Sequence, residues 1–325
     1  MSYLCSMKRK YFFLLVLFTG LIFGCSTKPQ NPQLKVLEWN IWHGGHDESL
    51  PADGRPSVIE IIKASGADVV LMIETYGSAP MISDSTDLDY HLISSNLSIY
   101  SRFPITKRLA FPDSISTFHF GGVEILAFDS IPVLVFNTWL HHLPKTRLVP
   151  THLPEDSILA WENRGTRDDE VFKIINTIQK YLNNSENVPV ILGGDLNSHS
   201  HLDWTTATKD TFNHGGAVVN WTVSSALTGA GLTDSYRKIN PDPLKNPGKT
   251  WISANNSEGN LEYTLHDRID YIYYKGNKLK AVNSESFTQI PGKMLNFKNK
   301  EIMYPSDHGF VLTTFEIDIN KKQND

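Results

Sequence analysis

The chain has 325 residues but only two cysteines, Cys5 and Cys25, both close to its beginning. No disulfide framework and no cysteine-ligated zinc site can therefore form in the rest of it. With 21 glycines and 17 prolines it is too poor in both for a collagen-like or low-complexity chain. Positive charge is scarce as well, with 30 Lys and Arg against 35 Asp and Glu and a formal net charge of −5. Three of those cations, Lys8, Arg9 and Lys10, lie next to one another near the start, so the remainder of the chain is more acidic still. Such a body is poorly matched to duplex DNA, because affinity for a polyphosphate comes largely from Lys and Arg displacing counterions. No internal repeat is present. The 40% of hydrophobic residues is enough for an ordinary globular core.

The longest apolar stretch, Tyr11 to Phe23, is 13 residues, short of the ~20 needed to span a bilayer and suited to a signal h-region. With the basic run ahead of it and Leu21-Ile22-Phe23-Gly24-Cys25-Ser26 behind, the segment resembles a bacterial lipoprotein leader. That resemblance implies cleavage before Cys25, lipidation of its sulfur, and export to the cell envelope with a membrane anchor. The alternative is an ordinary signal cut nearby that leaves Cys25 unmodified. The expected layout is a leader over residues 1–24, a polar tether over 25–34 with Pro29 and Pro32, and one catalytic domain over 35–320.

Within that domain, Val36 to Ile41 alternates like a strand and Pro56 to Ser65 has helical spacing closed by Gly66. Asp68 to Ile73 and Val188 to Leu192 are apolar runs of the kind found in strands buried on both faces. Short β-like segments occur at His91 to Ile93, Leu97 to Tyr100, Gly122 to Phe128 and Pro132 to Leu140. A helix is expected from Thr166, with Asp169 placed as in a capping box and apolar positions Val171, Ile174, Ile175, Ile178 and Leu182. A second helix is expected over Val218 to Ala230, stopped by Gly231, and three more strands over Arg268 to Tyr274, Leu279 to Phe287 and Gly309 to Ile317. Strands outnumber helices, and hairpin-like spacing is mixed with strand–helix–strand units. The pattern predicts an α/β sandwich with substantial antiparallel pairing.

Five islands place a carboxylate, amide or imidazole at or just past an expected strand end: Trp39-Asn40-Ile41, Met72-Ile73-Glu74, Gly193-Gly194-Asp195-Leu196-Asn197, Arg268-Ile269-Asp270-Tyr271 and Ser306-Asp307-His308. Strand ends hold the backbone still while the side chain reaches solvent, which suits catalytic groups. Taken singly, Glu74 would be a solvated charge, Asn40 a turn cap, and Gly-Asp-Leu-Asn an Asx turn. In this order and kind the islands resemble the endonuclease/exonuclease/phosphatase superfamily of DNase I-like, metal-dependent phosphoesterases, over nearly all of the chain past the leader. The resemblance implies a two-sheet, mostly antiparallel α/β sandwich flanked by helices, with the site at one end.

The chemistry makes matching demands. Phosphoester hydrolysis needs a hard cation, a positioned water and donors for the phosphate oxygens. Glu74, Asn40 and Asp307 are the expected ligands of Mg²⁺, or of Mn²⁺ or Ca²⁺, all of which favour oxygen donors. Asp195 is expected to take the proton of the attacking water, Asn197 to donate to the phosphate, and Asp270 to orient His308. Whether His308 is the base or a charged phosphate clamp stays open. Relatives carry a His where this chain has Trp139, in Asn137-Thr138-Trp139-Leu140-His141-His142. On an extended strand His141 would share the face of Trp139 and could take over from it, with Trp139 as a stacking surface; the alternative is a core Trp139 and a loop His141. His199 and His201 could line the substrate pocket, hold a second cation or only fill loop hydrogen bonds. Arg164 is the freer phosphate contact, and Arg167 belongs to the charged start of its helix. Trp251 is expected to pack near the Asp270 strand, whereas His43, His46, His119, His152, His214 and His266 show no marking pattern. The expected protein is a monomeric envelope phosphoesterase acting on a small phosphorylated substrate. A nuclease acting on DNA or RNA and a catalytically silent binding protein are the alternatives.

Overall fold

Two six-stranded sheets are stacked face to face in this computed structural model, which describes residues 31–257 and 260–319. The expected leader, its apolar stretch and Cys25 lie outside the described residues. The first sheet contains β1 (Gln33–Asn40), β2 (Val69–Ile73), β3 (Asp89–Ser94), β4 (Leu97–Ser101), β13 (Leu279–Phe287) and β16 (Phe310–Ile317). The second contains β5 (Ile105–Arg108), β6 (Phe120–Ala127), β7 (Ile131–Trp139), β8 (Val190–Asp195), β9 (Thr233–Asp234) and β12 (Asp270–Lys275). Two hairpins, β10 (Ile252–Ser257) with β11 (Asn260–Leu265) and β14 (Met294–Phe297) with β15 (Lys300–Met303), stand apart from them. The spatial orders are β13-β16-β1-β2-β4-β3 and β5-β6-β7-β8-β12-β9. Each sheet has one parallel pair near its middle, β1 with β2 and β7 with β8, and every other pairing is antiparallel. The α/β sandwich expected from the sequence is the fold observed.

Alternation along the strands builds the layers. Val36, Val69 and Leu71 meet Val133, Val135 and Ile191 between the sheets, where each buried aliphatic side chain is worth roughly 1.5–3 kcal/mol. Their chain neighbours Leu37, Val70 and Met72 face outward and are covered by Val58, Ile61 and Ile62 of the helix Arg55–Ser65. On the far face, Leu134, Phe136 and Leu192 are covered by Val171, Ile174 and Ile178 of the helix Arg167–Asn183. The central strands are therefore apolar at successive positions because both of their faces are buried. The sheets are also joined by a buried amide: Asn137 Nδ2 donates to the carbonyls of Met72 at 2.9 Å and Ser98 at 3.0 Å. Among the described residues no helix is long and apolar enough to cross a membrane.

Several boundaries differ from those read in the sequence. The expected tether over 25–34 runs into β1, because Leu34 is fully buried between the sheets and pairs with Phe315. The helix expected from Val218 starts at Thr222 instead, since Val219 and Trp221 approach it as extended chain packed against Ile158 and Trp204. Thr166 makes no capping bond to the helix Arg167–Asn183; its hydroxyl donates to Glu170 Oε1 at 2.6 Å. β12 begins at Asp270, where it pairs with Asp195 of β8, two residues after the expected start at Arg268.

Candidate active site

Parallel pairing in the two sheet centres sets the site. β1 and β2 end at Asn40 and Ile73, and β7 and β8 end side by side with Trp139 opposite Asp195. The antiparallel neighbours β12 and β16 begin at that same end, bringing in Asp270 opposite Asp195 and His308 just ahead of Phe310. The convergent residues surround a cleft of about 270 Å³ lined by Glu74, Trp139, Asp195, Asn197, Trp251 and His308, with His43, Tyr76, His142, Lys145 and Thr146 completing its walls. His43, Glu74 and Asn197 all hold positive φ, of 49°, 57° and 48°. Such backbone strain in non-glycine residues is kept where the surroundings impose it, commonly at functional sites.

Asp195 is the hub. Its Oδ2 accepts N–H groups from Asn40 at 3.2 Å, from the Trp139 indole at 3.1 Å and from Asn197 at 3.3 Å, while Oδ1 accepts the Asn197 backbone N–H at 2.9 Å. Burial is the largest influence on this carboxyl and, with the charge of Asp270, pushes it up to about 7 against the opposing pull of His308 and the N–H donors. A base poised near neutrality suits proton abstraction from water. Behind it, one guanidinium nitrogen of buried Arg167 donates to the Asn197 carbonyl and the other terminal nitrogen stands 3.6 Å from Glu162, which anchors the turn.

His308 lies across the cleft. Its Nδ1 is 3.1 Å from both oxygens of Asp270, and its Nε2 is 3.8 Å from Asp195 Oδ2 and 4.0 Å from Asp307 Oδ1. Burial works against the imidazolium, but the charges of Asp270 and Asp195 outweigh it and hold His308 well above its ordinary value. Thr250 fixes the dyad from below, its hydroxyl accepting the N–H groups of Ile269 at 3.1 Å and Asp270 at 3.2 Å. Ser306 ties the other strand, donating to the Asn40 carbonyl at 2.7 Å.

Asp195, Asp270 and His308 bring ligand-type atoms within 4.8 Å of one another, a cluster that could hold a metal ion. The donor set agrees with a hard cation. Asp307 Oδ1 is buried without a hydrogen-bond partner. Burial first, then the charges of Glu74 and Asp270, push the Asp307 carboxyl up to about 6. Crowded carboxylates with an orphaned oxygen are relieved by a divalent ion, so these residues fit one.

Comparison with known proteins agrees with this geometry. Residues 37–308 match the Endonuclease/Exonuclease/phosphatase family. The chain belongs to this family. As a member it is a hydrolase acting on phosphoester bonds. It is 27% identical over 317 residues to an uncharacterized protein of Caenorhabditis elegans, covering 93% of this chain and 97% of that one. Among solved structures it resembles D. rerio TDP2 complexed with single-strand DNA product, at TM-score 0.57 and 13% identity, covering 88% of this chain and 99% of that one. It also resembles a mannosyl-6-phosphatase of Bacteroides thetaiotaomicron, at TM-score 0.53 and 17% identity, covering 87% and 99%. A Bacteroides thetaiotaomicron protein described only by this family's name gives TM-score 0.56 and 19% identity, covering 90% and 100%.

Some expected residues of this endonuclease/exonuclease/phosphatase protein take other positions. Asn40 is beside Glu74, but its nitrogen faces Glu74 Oε1 at 3.2 Å while its oxygen accepts the Trp42 N–H at 3.0 Å. The amide thus donates to two carboxylates where a metal-facing oxygen was expected. Asn197 is committed too, with Nδ2 donating to Leu140 O at 2.9 Å as well as to Asp195, and so is not a free phosphate donor. His141 does not follow Trp139 along a strand face, because β7 stops at Trp139; His142 and Lys145 reach the cleft in its place. The His141 backbone N–H is held by Glu170 at 2.9 Å. His199 is buried against Trp204 and Trp221, outside the cleft, and His201 bonds Ser224 at 2.8 Å. Arg164 is exposed and does not line the cleft. Arg268 is wholly buried, paired with Asp203 at 3.0 Å and Asp234 at 2.7 Å, and serves the fold.

Other participants carried no pattern in the sequence. His43 donates its backbone N–H to Glu74 Oε2 at 2.9 Å. Glu38, on the inward face of β1, is fully buried with neither carboxylate oxygen bonded. Burial, then the charges of Asp270 and Asp195, raise it well above the ordinary carboxylate range. The folded protein therefore retains this proton to higher pH than the unfolded chain does. Its contribution to stability is complete below the ordinary carboxylate range and is lost as pH climbs through the raised folded value. Glu38→Gln keeps the shape without the charge. In EDTA it is expected to flatten that decline and gain on the order of 1 kcal/mol over wild type at pH 8. Calorimetric melts from pH 5 to 9 check it, and parallel curves for the two proteins would contradict it.

Proposed function

We propose that this protein is a divalent-metal-dependent phosphoesterase of the cell envelope, a monomer that hydrolyses a small organophosphate. The observation that carries the reading is the placement of Asp195, pushed up to about 7, 3.8 Å from His308, which Asp270 and Asp195 hold well above its ordinary value. Glu74 and Asp307 would hold Mg²⁺ or Mn²⁺, leaving Asp195 and the Asp270–His308 dyad free to act on water and phosphate. The bound ion supplies a Lewis acid that neutralises phosphate oxygens. Asp195 takes the proton of the attacking water as the water oxygen bonds to phosphorus; the ester P–O bond breaks, its electron pair leaves on the alcohol oxygen, and that oxygen takes a proton from solvent. Asn40, Trp139 and Asn197 hold the carboxylate in place for that transfer. The His308 imidazolium, fixed by Asp270, clamps a non-bridging oxygen. Tyr76, Trp139 and Trp251 present rings to the leaving group.

A small substrate is favoured over nucleic acid because Lys145 is the only Lys or Arg lining the cleft among the described residues. The similarity to a mannosyl-6-phosphatase supports a phosphorylated sugar or comparable polyol; the TDP2 likeness keeps single-stranded DNA as the competing substrate. The envelope location rests on the leader pattern that ends at Cys25.

Hydrolysis of an artificial phosphomonoester and phosphodiester in Mg²⁺, compared with sugar phosphates and single-stranded DNA, tests the reading. EDTA should abolish activity and added Mg²⁺ restore it. Glu74→Gln is expected to raise the Mg²⁺ concentration for half-maximal rate by about tenfold or more, in line with losing a charged oxygen ligand. Activity should follow the membrane fraction and become soluble in Cys25→Ala. Turnover unaffected by EDTA would refute the metal-dependent mechanism, and preferred cleavage of DNA would replace the substrate.

A further inference from the structure

Among the described residues Arg167, Arg237 and Arg268 are the buried arginines, and the last two spend every guanidinium nitrogen on a carboxylate or carbonyl oxygen. Arg167 does not. It opens the helix Arg167–Asn183 and is only 1% exposed, and one terminal nitrogen donates to the Asn197 carbonyl. Its Nε and its other terminal nitrogen have no hydrogen-bond partner, and the latter stands 3.6 Å from Glu162, whose Oε2 is also unbonded. A buried ion pair so incompletely bonded adds little to stability, because desolvation offsets most of the attraction. Its placement therefore needs another reason.

The carbonyl it holds supplies one. Asn197 has a φ of 48°, and in that conformation its backbone N–H reaches Asp195 Oδ1 at 2.9 Å and its side-chain amide reaches Asp195 Oδ2 at 3.3 Å. The following residue, Ser198, is gripped twice: its hydroxyl donates to Glu162 Oε1 at 2.6 Å, and its carbonyl accepts the Tyr271 hydroxyl at 2.9 Å. The peptide carbonyl joining these two residues is the one that Arg167 takes. Burial works against the Arg167 cation, and Glu162, Asp168 and Asp195 are the charges that act to sustain it.

We propose that Arg167 is a positioning residue for the reaction: by fixing the Asn197 carbonyl it locks the left-handed Asn197, and through it holds the Asp195 carboxylate at the angle needed to take the proton of the attacking water. Arg167 does not line the cleft, so its effect falls on the chemical step and not on substrate binding. This rests on the phosphoesterase reading, but it can fail separately from it.

The test replaces the pair together. Removing one member would strand a buried charge, whereas Glu162→Gln combined with Arg167→Met removes both and keeps an oxygen for the Ser198 hydroxyl. The double variant should melt at or above the wild-type temperature. At saturating Mg²⁺ it should nevertheless lose about 100-fold in kcat with KM little changed, the loss expected when a reacting group is displaced by about an ångström. Glu162→Gln alone should keep most of the rate, since the cation and its bond to Asn197 remain, and Arg167→Lys should fall between the double variant and wild type. The Trp139 indole N–H, which donates to Asp195 Oδ2 at 3.1 Å, gives a readout that needs no turnover. Its proton resonance should move upfield in the double variant as that bond loosens. Wild-type kcat in the double variant, an unmoved indole resonance, or loss of folded protein in step with loss of rate would overturn the positioning role and leave the hydrolase reading standing. A wild-type protein without phosphoester hydrolysis whose indole resonance still answers to Arg167 would overturn the hydrolase reading and uphold the hold on Asp195.

Discussion

Asp195→Asn is expected to lower kcat for metal-supported phosphoester hydrolysis by about 1,000-fold, the middle of the range for removing a general base. The substitution is nearly isosteric. The side-chain oxygen of Asn can take the place of Oδ2 and still accept from Asn40, Trp139 and Asn197. The new amide nitrogen then faces the Asn197 backbone N–H that Oδ1 accepts in the wild type at 2.9 Å, a loss of about 1 kcal/mol of stability. KM should move little, since the phosphate is held by the cation and His308. The loss therefore belongs to the chemical step, and steady-state kinetics at saturating Mg²⁺ alongside a thermal melt separate it from misfolding. A folded Asp195→Asn enzyme with near-wild-type kcat would show that another group takes the proton.

The largest effect on folding is expected one residue earlier. Gly194 has φ of 151°, and a Cβ there would lie 1.9 Å from the Thr138 carbonyl oxygen and 2.8 Å from its carbon. The obstruction is backbone of the neighbouring strand β7, so no rotamer change relieves it. Gly194→Ala should cost more than about 4 kcal/mol, and much of the protein should fail to accumulate in soluble form. Gly77 is the control: its φ is 84°, but nothing stands within 4 Å of an added Cβ. Gly77→Ala should cost only the ~1–2 kcal/mol of a left-handed alanine. Denaturant melts of the two variants measure the difference. Equal losses would mean that backbone strain alone, and not the close approach of β7 to β8, demands glycine at Gly194.

Readability from sequence followed burial and chemistry. Val69–Ile73 and Val190–Asp195 showed as strands because both faces are covered, leaving a continuous apolar run. Glu74, Asp195, Asp270 and His308 stood out because their neighbours form short motifs at strand ends, and those ends meet. What was missed depends on orientation. Nothing in the order of residues says which way the Asn40 amide turns; a single N–H, that of Trp42, decides it. His142 and Lys145 reach the cleft because β7 ends at Trp139, a boundary that the residues Leu140-His141-His142 do not announce. Glu38 reads as an ordinary polar alternation within β1, and only the second sheet lying over it makes it a buried, unbonded acid. Arg164 was ranked above Arg167 as a phosphate contact because only Arg167 sits within a run of acidic residues, and that run does not say which side chain faces the cleft. The one predicted to be free is exposed away from the cleft, and the other is buried behind Asn197.

The reactive groups are divided between the two sheets, with Asn40 and Glu74 on one and Trp139, Asp195 and Asp270 on the other. The Asn40–Asp195 and His308–Asp270 contacts join them, and farther in, the Asn137 amide pins the same two layers. Sliding one layer along the other by even an ångström would part ion ligands from base without breaking any ladder within either sheet. Catalytic competence thus becomes a readout of interlayer alignment, and tight packing far below the cleft is selected for the precision it gives the chemistry as much as for the stability it adds.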